Sequence, residues 1–142
     1  MNPETPWTVL IVDDSPTMRG MIQRALVAGG YHVLEAADGI EGLSRLEEAP
    51  VQAVVTDINM PRMDGLTFIR TVRQTGRFPR LPILALTTEG ESDMKAAGKA
   101  AGATGWIVKP FEPEQLCNVL AMVIKRMTAQ EQPLKASGVQ EA

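Results

Sequence analysis

Four short stretches carry side chains that could do chemistry together. Residues 9–16 read VLIVDDSP and deliver Asp13 and Asp14 side by side at the end of an apolar run, and residues 56–65 read TDINMPRMDG and hold Asp57. Residues 86–89 read LTTE, with Thr87 and Thr88, and residues 102–111 read GATGWIVKPF, with Lys109. Two carboxylates about 4 Å apart repel by roughly 4 kcal/mol at an effective dielectric near 20, so three at one place need a counter-ion. Hard oxygen donors on one side of an open site suit Mg²⁺, which takes one or two carboxylates and keeps room for phosphate oxygens. With the cation at Asp13, Asp14 and Asp57, the Asp57 carboxylate becomes a nucleophile toward phosphorus and the product is an aspartyl phosphate. Lys109 would pair with the phosphate oxygens, the Thr87 hydroxyl would donate to them, and the backbone N–H groups of Ile58, Asn59 and Thr88 would complete the cradle. Taken singly, each residue has an ordinary alternative as a turn, a helix cap or a solvated loop lysine. Their joint placement at the ends of strands one, three, four and five is what points to chemistry.

Those ends follow from the apolar pattern. Runs rich in Val, Ile and Leu alternate with longer segments of helical period, as in a parallel sheet covered by helices on both faces. Strands are expected at Thr8 to Val12, His32 to Ala36, Ala53 to Thr56, Ile83 to Leu86 and Trp106 to Val108. Helices are expected near Pro16 to Ala28, Ile40 to Glu48, Gly65 to Gln74, Glu91 to Ala101 and Glu112 to Met127. Ser15 and Pro16 form an N-cap and first helical turn, and Gly29 and Gly30 end that helix. In the last helix Leu116, Val119, Leu120, Val123, Ile124 and Met127 make one apolar stripe, read as core together with Met18 and Met21. The fourth helix offers mostly alanine for burial and carries Gly98 inside, so it is expected to be weakly anchored and able to shift. The class is therefore an α/β doubly wound sheet, in which functional groups gather at the carboxyl ends of the strands.

Composition bounds the rest. A chain of 142 residues with 44% hydrophobic content suits one compact domain over 1–128, followed by a disordered tail over 129–142 where periodicity is lost. The balance of 14 basic against 17 acidic residues, formally -3, shows no basic cluster and argues against nucleic-acid binding. No apolar run approaches the roughly 20 residues that a bilayer needs, so no membrane insertion is expected and the location is read as cytoplasmic. One cysteine, Cys117, allows no internal disulfide and no thiolate metal cage, and His32 is the only histidine.

The motifs VDDS, TDINMPRMDG, LTTE and GATGWIVKPF together resemble those of response-regulator receiver domains, over about Val9 to Arg126. The resemblance implies a flavodoxin-like five-stranded parallel sheet in the order 2-1-3-4-5 with five helices. It implies direct Mg²⁺ ligation by Asp14, Asp13 acting through water, and the Asn59 backbone carbonyl as the third protein ligand. Asp57 matches the phosphoacceptor, Thr87 the switch hydroxyl and Lys109 the phosphate-pairing lysine, with a cis bond before Pro110. A CheA-like histidine kinase would be the donor, and the regulator itself would catalyse transfer, followed by slow loss of the phosphate tuned at Asn59 and Glu89. In the family Thr87 is then drawn to the phosphate and an aromatic on strand five turns inward; here that position holds Trp106, where Tyr or Phe is more usual.

The output implied is a protein contact by a monomer, since the chain length leaves no room for an effector domain. The motifs look most like those of chemotaxis regulators of the CheY type, whose fourth-helix, fifth-strand and fifth-helix face binds the flagellar switch protein FliM. The fourth helix here begins acidic, with Glu91 and Asp93. A phosphate sink or phosphorelay carrier without motor binding is the alternative within this class. Outside it, a Mg²⁺-dependent aspartyl-phosphate phosphatase would want a proton-donating Asp two residues after Asp57, where Asn59 stands.

Overall fold

The computed structural model describes residues 7–60, 62–88 and 92–130, with backbone alone at 92–95 and 128–130. The tail expected over 129–142 lies outside the described residues from 131 onward, as do Glu89 and Glu91 and the side chain of Asp93. Five strands, β1 (Thr8–Val12), β2 (His32–Ala36), β3 (Ala53–Asp57), β4 (Ile83–Thr87) and β5 (Gly105–Val108), alternate with five helices. The helices are α1 (Pro16–Ala28), α2 (Gly39–Glu48), α3 (Gly65–Gln74), α4 (Ser92–Ala101) and α5 (Pro113–Gln130). All pairings are parallel, as the alternation implied, and the order is β2-β1-β3-β4-β5, the one the resemblance implied. β3 and β4 each run one residue further than expected, so Asp57 and Thr87 are the last residues of their strands.

Successive side chains on a strand point to opposite faces, and the two faces bury separate apolar layers. Val9, Ile11, Val55, Leu84, Leu86 and Ile107 pack with Ile22 and Leu26 of α1 and with Leu116, Leu120 and Val123 of α5. Leu10, Val12, Val54, Ile83 and Ala85 pack with Leu46 of α2 and with Phe68, Ile69 and Val72 of α3. The α5 stripe is only half core, since Val119, Ile124 and Met127 remain half-buried, and the same is true of Met18 and Met21.

Local signals fix the helix starts at the strand ends. Ser15 Oγ accepts from Met18 N, Asp38 from Glu41 N and Asp64 from Thr67 N, three side-chain caps satisfying first-turn N–H groups. At the other end of α1, Gly30 takes φ 96, a region that only glycine enters freely.

The α4 helix differs from the weakly held segment its alanines suggest. Its C-terminal turn is gripped by Arg73 of α3, whose Nη2 donates to Gly102 O at 2.9 Å and to Leu81 O at 2.7 Å while Nη1 donates to Phe78 O at 2.7 Å. Gly98, which costs about 1 kcal/mol as a helix residue against alanine, is buried, and a Cβ there would stand 2.2 Å from Trp106 Cζ3. The glycine is thus required by the neighbouring indole.

Candidate functional site

Parallel strands that all end on one side bring the four sequence motifs to one edge of the sheet. The Asp13, Asp14 and Asp57 carboxylates each offer an oxygen within 4.8 Å of the others, with Asp13 and Asp57 buried and Asp14 exposed. Lys109 Nζ lies 2.8 Å from Asp57 Oδ1 and 3.8 Å from Asp13 Oδ2. Asp57 Oδ1 and Asp13 Oδ2 are both shielded from solvent and have no well-aligned hydrogen-bond donor among the described residues, so the Lys109 ammonium is what offsets their charge. One ammonium does not balance three carboxylates, so the corner still favours a further cation.

The backbone holds this corner rigid. Asp13 N donates to Ala36 O at 3.1 Å, Ser15 N donates to Asp13 Oδ1 at 2.9 Å, and Arg19 Nη1 donates to Asp13 O at 2.7 Å. Burial pushes the Asp13 carboxyl above its ordinary pKa; the Ser15 N–H opposes this, Asp57 adds to it, Lys109 opposes it and Asp14 adds to it. Lys109 is set by the peptide before Pro110, which is cis as the resemblance implied, and by its own N–H, which donates to Thr87 O at 2.7 Å. Thr87 is fully buried at the end of β4.

Of the three amides expected to cradle a phosphate, Ile58 N–H is already engaged, donating to Leu86 O at 3.0 Å in continuation of the β3–β4 ladder. A phosphate would have to displace that bond, which leaves Asn59 and Thr88, both exposed residues just beyond the strand ends, as the candidate donors. Asn59 also carries the carbonyl expected to ligate the cation.

Three supporting residues were not singled out from the sequence. Gly65 closes the loop back onto the site: its N–H donates to Ile58 O at 2.8 Å, and a Cβ would fall 2.1 Å from Asp57 O. The signal was present as the DG pair that begins α3, where only a residue without a side chain allows such close approach. Asp38, 3% exposed in its side chain, caps α2 and forms an ion pair with Arg62, which takes φ 66 in the β3–α3 loop. That pair ties the loop after Asp57 to the loop after β2; nothing in local spacing reveals a contact between positions 24 residues apart.

Such a corner, with a half-buried lysine beside an acidic cluster at the carboxyl ends of a doubly wound sheet, can hold a hard cation and expose one carboxylate to an electrophile. The family model described as the response regulator receiver domain matches residues 9–121. The chain belongs to that family. Among relatives of this receiver domain, chemotaxis protein CheY1 of Helicobacter pylori is 42% identical over 118 residues, 82% of this chain and 95% of that protein. Part of the sensor histidine kinase CheAY of Helicobacter pylori is 37% identical over 126 residues, 87% of this chain and 16% of that protein. The solved structure of Vibrio cholerae chemotaxis protein CheY4 superposes with a TM-score of 0.81 at 44% identity, covering 84% of this chain and 99% of that one. Receiver domains are the phosphoacceptor switches of two-component systems, and they bind Mg²⁺ at an acidic pocket. Among the described residues no helix is long and apolar enough to cross a membrane.

Proposed function

We propose that this receiver domain takes a phosphoryl group from a CheA-like histidine kinase onto Asp57 and signals through a phosphorylation-dependent protein contact. The observation that carries the proposal is the convergence of Lys109 Nζ, 2.8 Å from Asp57 Oδ1, with three carboxylates, two of which, Asp13 and Asp57, each bury an oxygen that accepts no hydrogen bond among the described residues. An Asp57 oxygen attacks phosphorus as the bond to the imidazole nitrogen of phosphohistidine breaks, and the imidazole leaves with the bonding pair. Lys109 compensates the negative charge brought to the corner, and Thr87, Asn59 N–H and Thr88 N–H supply hydrogen bonds to the phosphoryl oxygens.

The donor set fits a divalent cation, since the candidate ligands that converge here among the described residues are carboxylate oxygens. Asp14, Asp57 and the Asn59 carbonyl would hold Mg²⁺, with Asp13 acting through water. Bound there, it neutralises charge on the phosphoryl oxygens. The same corner then loses its phosphate slowly by hydrolysis, which makes the chain a switch that turns over with its kinase rather than an enzyme for free phosphoesters.

For the output, likeness to two chemotaxis proteins supports a monomer that binds the flagellar switch protein FliM through α4, β5 and α5. Capture of the chain on an immobilised FliM N-terminal peptide is expected to rise several-fold when beryllofluoride and Mg²⁺ are added. Equal retention in both conditions would leave the alternative of a phosphate sink or phosphorelay carrier.

A further inference from the structure

Gly98 is the one glycine within the described span of α4, and its environment explains why. A Cβ at this position would lie 2.2 Å from Trp106 Cζ3, 2.9 Å from Cε3 and 3.2 Å from Cη2. The six-membered half of the indole therefore occupies the gap that the missing side chain leaves. Those are the atoms that a Phe or Tyr ring, lacking the second fused ring, would not project as far. The glycine in an alanine-rich helix and the tryptophan on β5 are two halves of one fit.

Among the described residues the ring has no polar tether. Trp106 Nε1 is shielded from solvent and has no hydrogen-bond partner among the described residues, so the shape of the notch holds its orientation. Trp106 packs with Ile83 and Ala85 on one face of the sheet. Strand alternation puts Thr87 on that same face, two residues beyond Ala85. The ring also lines a groove of about 400 Å³ shared with Lys99 of α4, Thr104 and Gly105, and Arg126 of α5. The C-terminal turn of α4 is meanwhile pinned by Arg73 at Gly102 O.

We propose that Gly98 is the positioning residue for Trp106, an inference that rests on Asp57 being the phosphoacceptor. The notch keys the indole to α4, so ring and helix shift as one body, pivoting on the Arg73 grip, when the charge at Asp57 changes. The groove between α4, β5 and α5 is then reshaped by that joint movement, in place of an aromatic ring turning over a stationary helix.

The test uses the full chain with Trp7→Phe, which leaves Trp106 as the only indole of the 2 tryptophans. Beryllofluoride with Mg²⁺ is expected to change Trp106 emission while acrylamide quenching stays the same, because the ring remains seated. A several-fold rise in quenching would show the ring leaving the notch and would overturn the proposal. Gly98→Ala is expected to shift basal emission to the red and to reduce the beryllofluoride response several-fold, with phosphoryl uptake from a small phosphodonor unchanged. Emission and response equal to those of the Trp7→Phe parent would overturn it.

Stability supplies the control for misfolding. Alanine is the better helix former, so Gly98→Ala is expected to raise the thermal midpoint in a Trp106→Phe background and to lower it when Trp106 is present. An equal loss in both backgrounds, or a double variant that does not fold, would refute the fit. Failure of the Trp7→Phe parent to take up phosphoryl would refute Asp57 as the acceptor, whereas uptake with no effect of Gly98→Ala would refute the notch alone.

Discussion

Asp13 shows at residue scale how the corner is balanced. Burial raises its pKa, and the nearby Asp57 and Asp14 carboxylates add to the rise against the Ser15 N–H and the Lys109 charge. A carboxyl with a raised folded-state pKa leaves stability intact below its unfolded pKa and withdraws it as pH climbs through the folded value. Without a divalent cation, Asp13→Asn is therefore expected to stabilise the chain at pH 7, by on the order of 1 kcal/mol for removing a partly compensated buried charge. Urea denaturation of both proteins across pH checks this: the difference should shrink toward zero at acid pH, and a variant less stable at pH 7 would contradict it. Saturating Mg²⁺ should stabilise the parent more than the variant, since only the parent offers all three carboxylates. The chemistry of these residues was legible from type and spacing, because each stands at the end of an apolar run. The burial difference between Asp13 and Asp14 was not, since adjacent residues share every local signal and only the packed loops separate them.

At the scale of elements, the strands were readable from their Val, Ile and Leu runs and the helix starts from Ser15, Asp38 and Asp64. What local pattern could not reveal were contacts that bridge elements: Arg73 of α3 onto Gly102, Asp38 onto Arg62, and Gly98 beneath Trp106. Gly98 in particular read as a weakness of α4, because propensity counts the helix alone and is blind to the ring that fills the space. Arg73 is the residue on which the α3–α4 connection depends most plainly. Its burial lowers the guanidinium pKa, and its donors serve Phe78 O, Leu81 O and Gly102 O at once. Arg73→Ala removes the side-chain donors to Leu81 O and Gly102 O and leaves Phe78 O only the long bond from Leu81 N–H, and it is expected to cost about 2–3 kcal/mol. Hydrogen exchange should show the loss concentrated in α4 and the β4–β5 segment, and uniform loss across the chain would argue against a local grip.

For the molecule as a whole, two apolar layers on a five-stranded sheet support one edge where the strand ends converge, and Trp106 lines the groove at α4, β5 and α5. The arrangement suits a switch whose input is a change of charge at Asp57 and whose output is a change of shape at an adjoining face. Coupling of this kind needs an element whose two positions differ by only a few kcal/mol. The pinned but alanine-lined α4 helix meets that requirement better than the fully buried strands do. The family, the doubly wound order and the acidic corner were all within reach of sequence reading. The means of transmission was not, since it depends on how one indole fits one glycine. Everything turns on Asp57 accepting a phosphoryl group with the help of a divalent cation. The most direct measurement is intact mass after incubation with a small phosphodonor, with and without Mg²⁺, for the parent and for a folded Asp57→Asn variant. One phosphoryl per chain in the parent, dependent on Mg²⁺ and absent from the variant, is the expected result; uptake that survives in Asp57→Asn, or that ignores Mg²⁺, would contradict it.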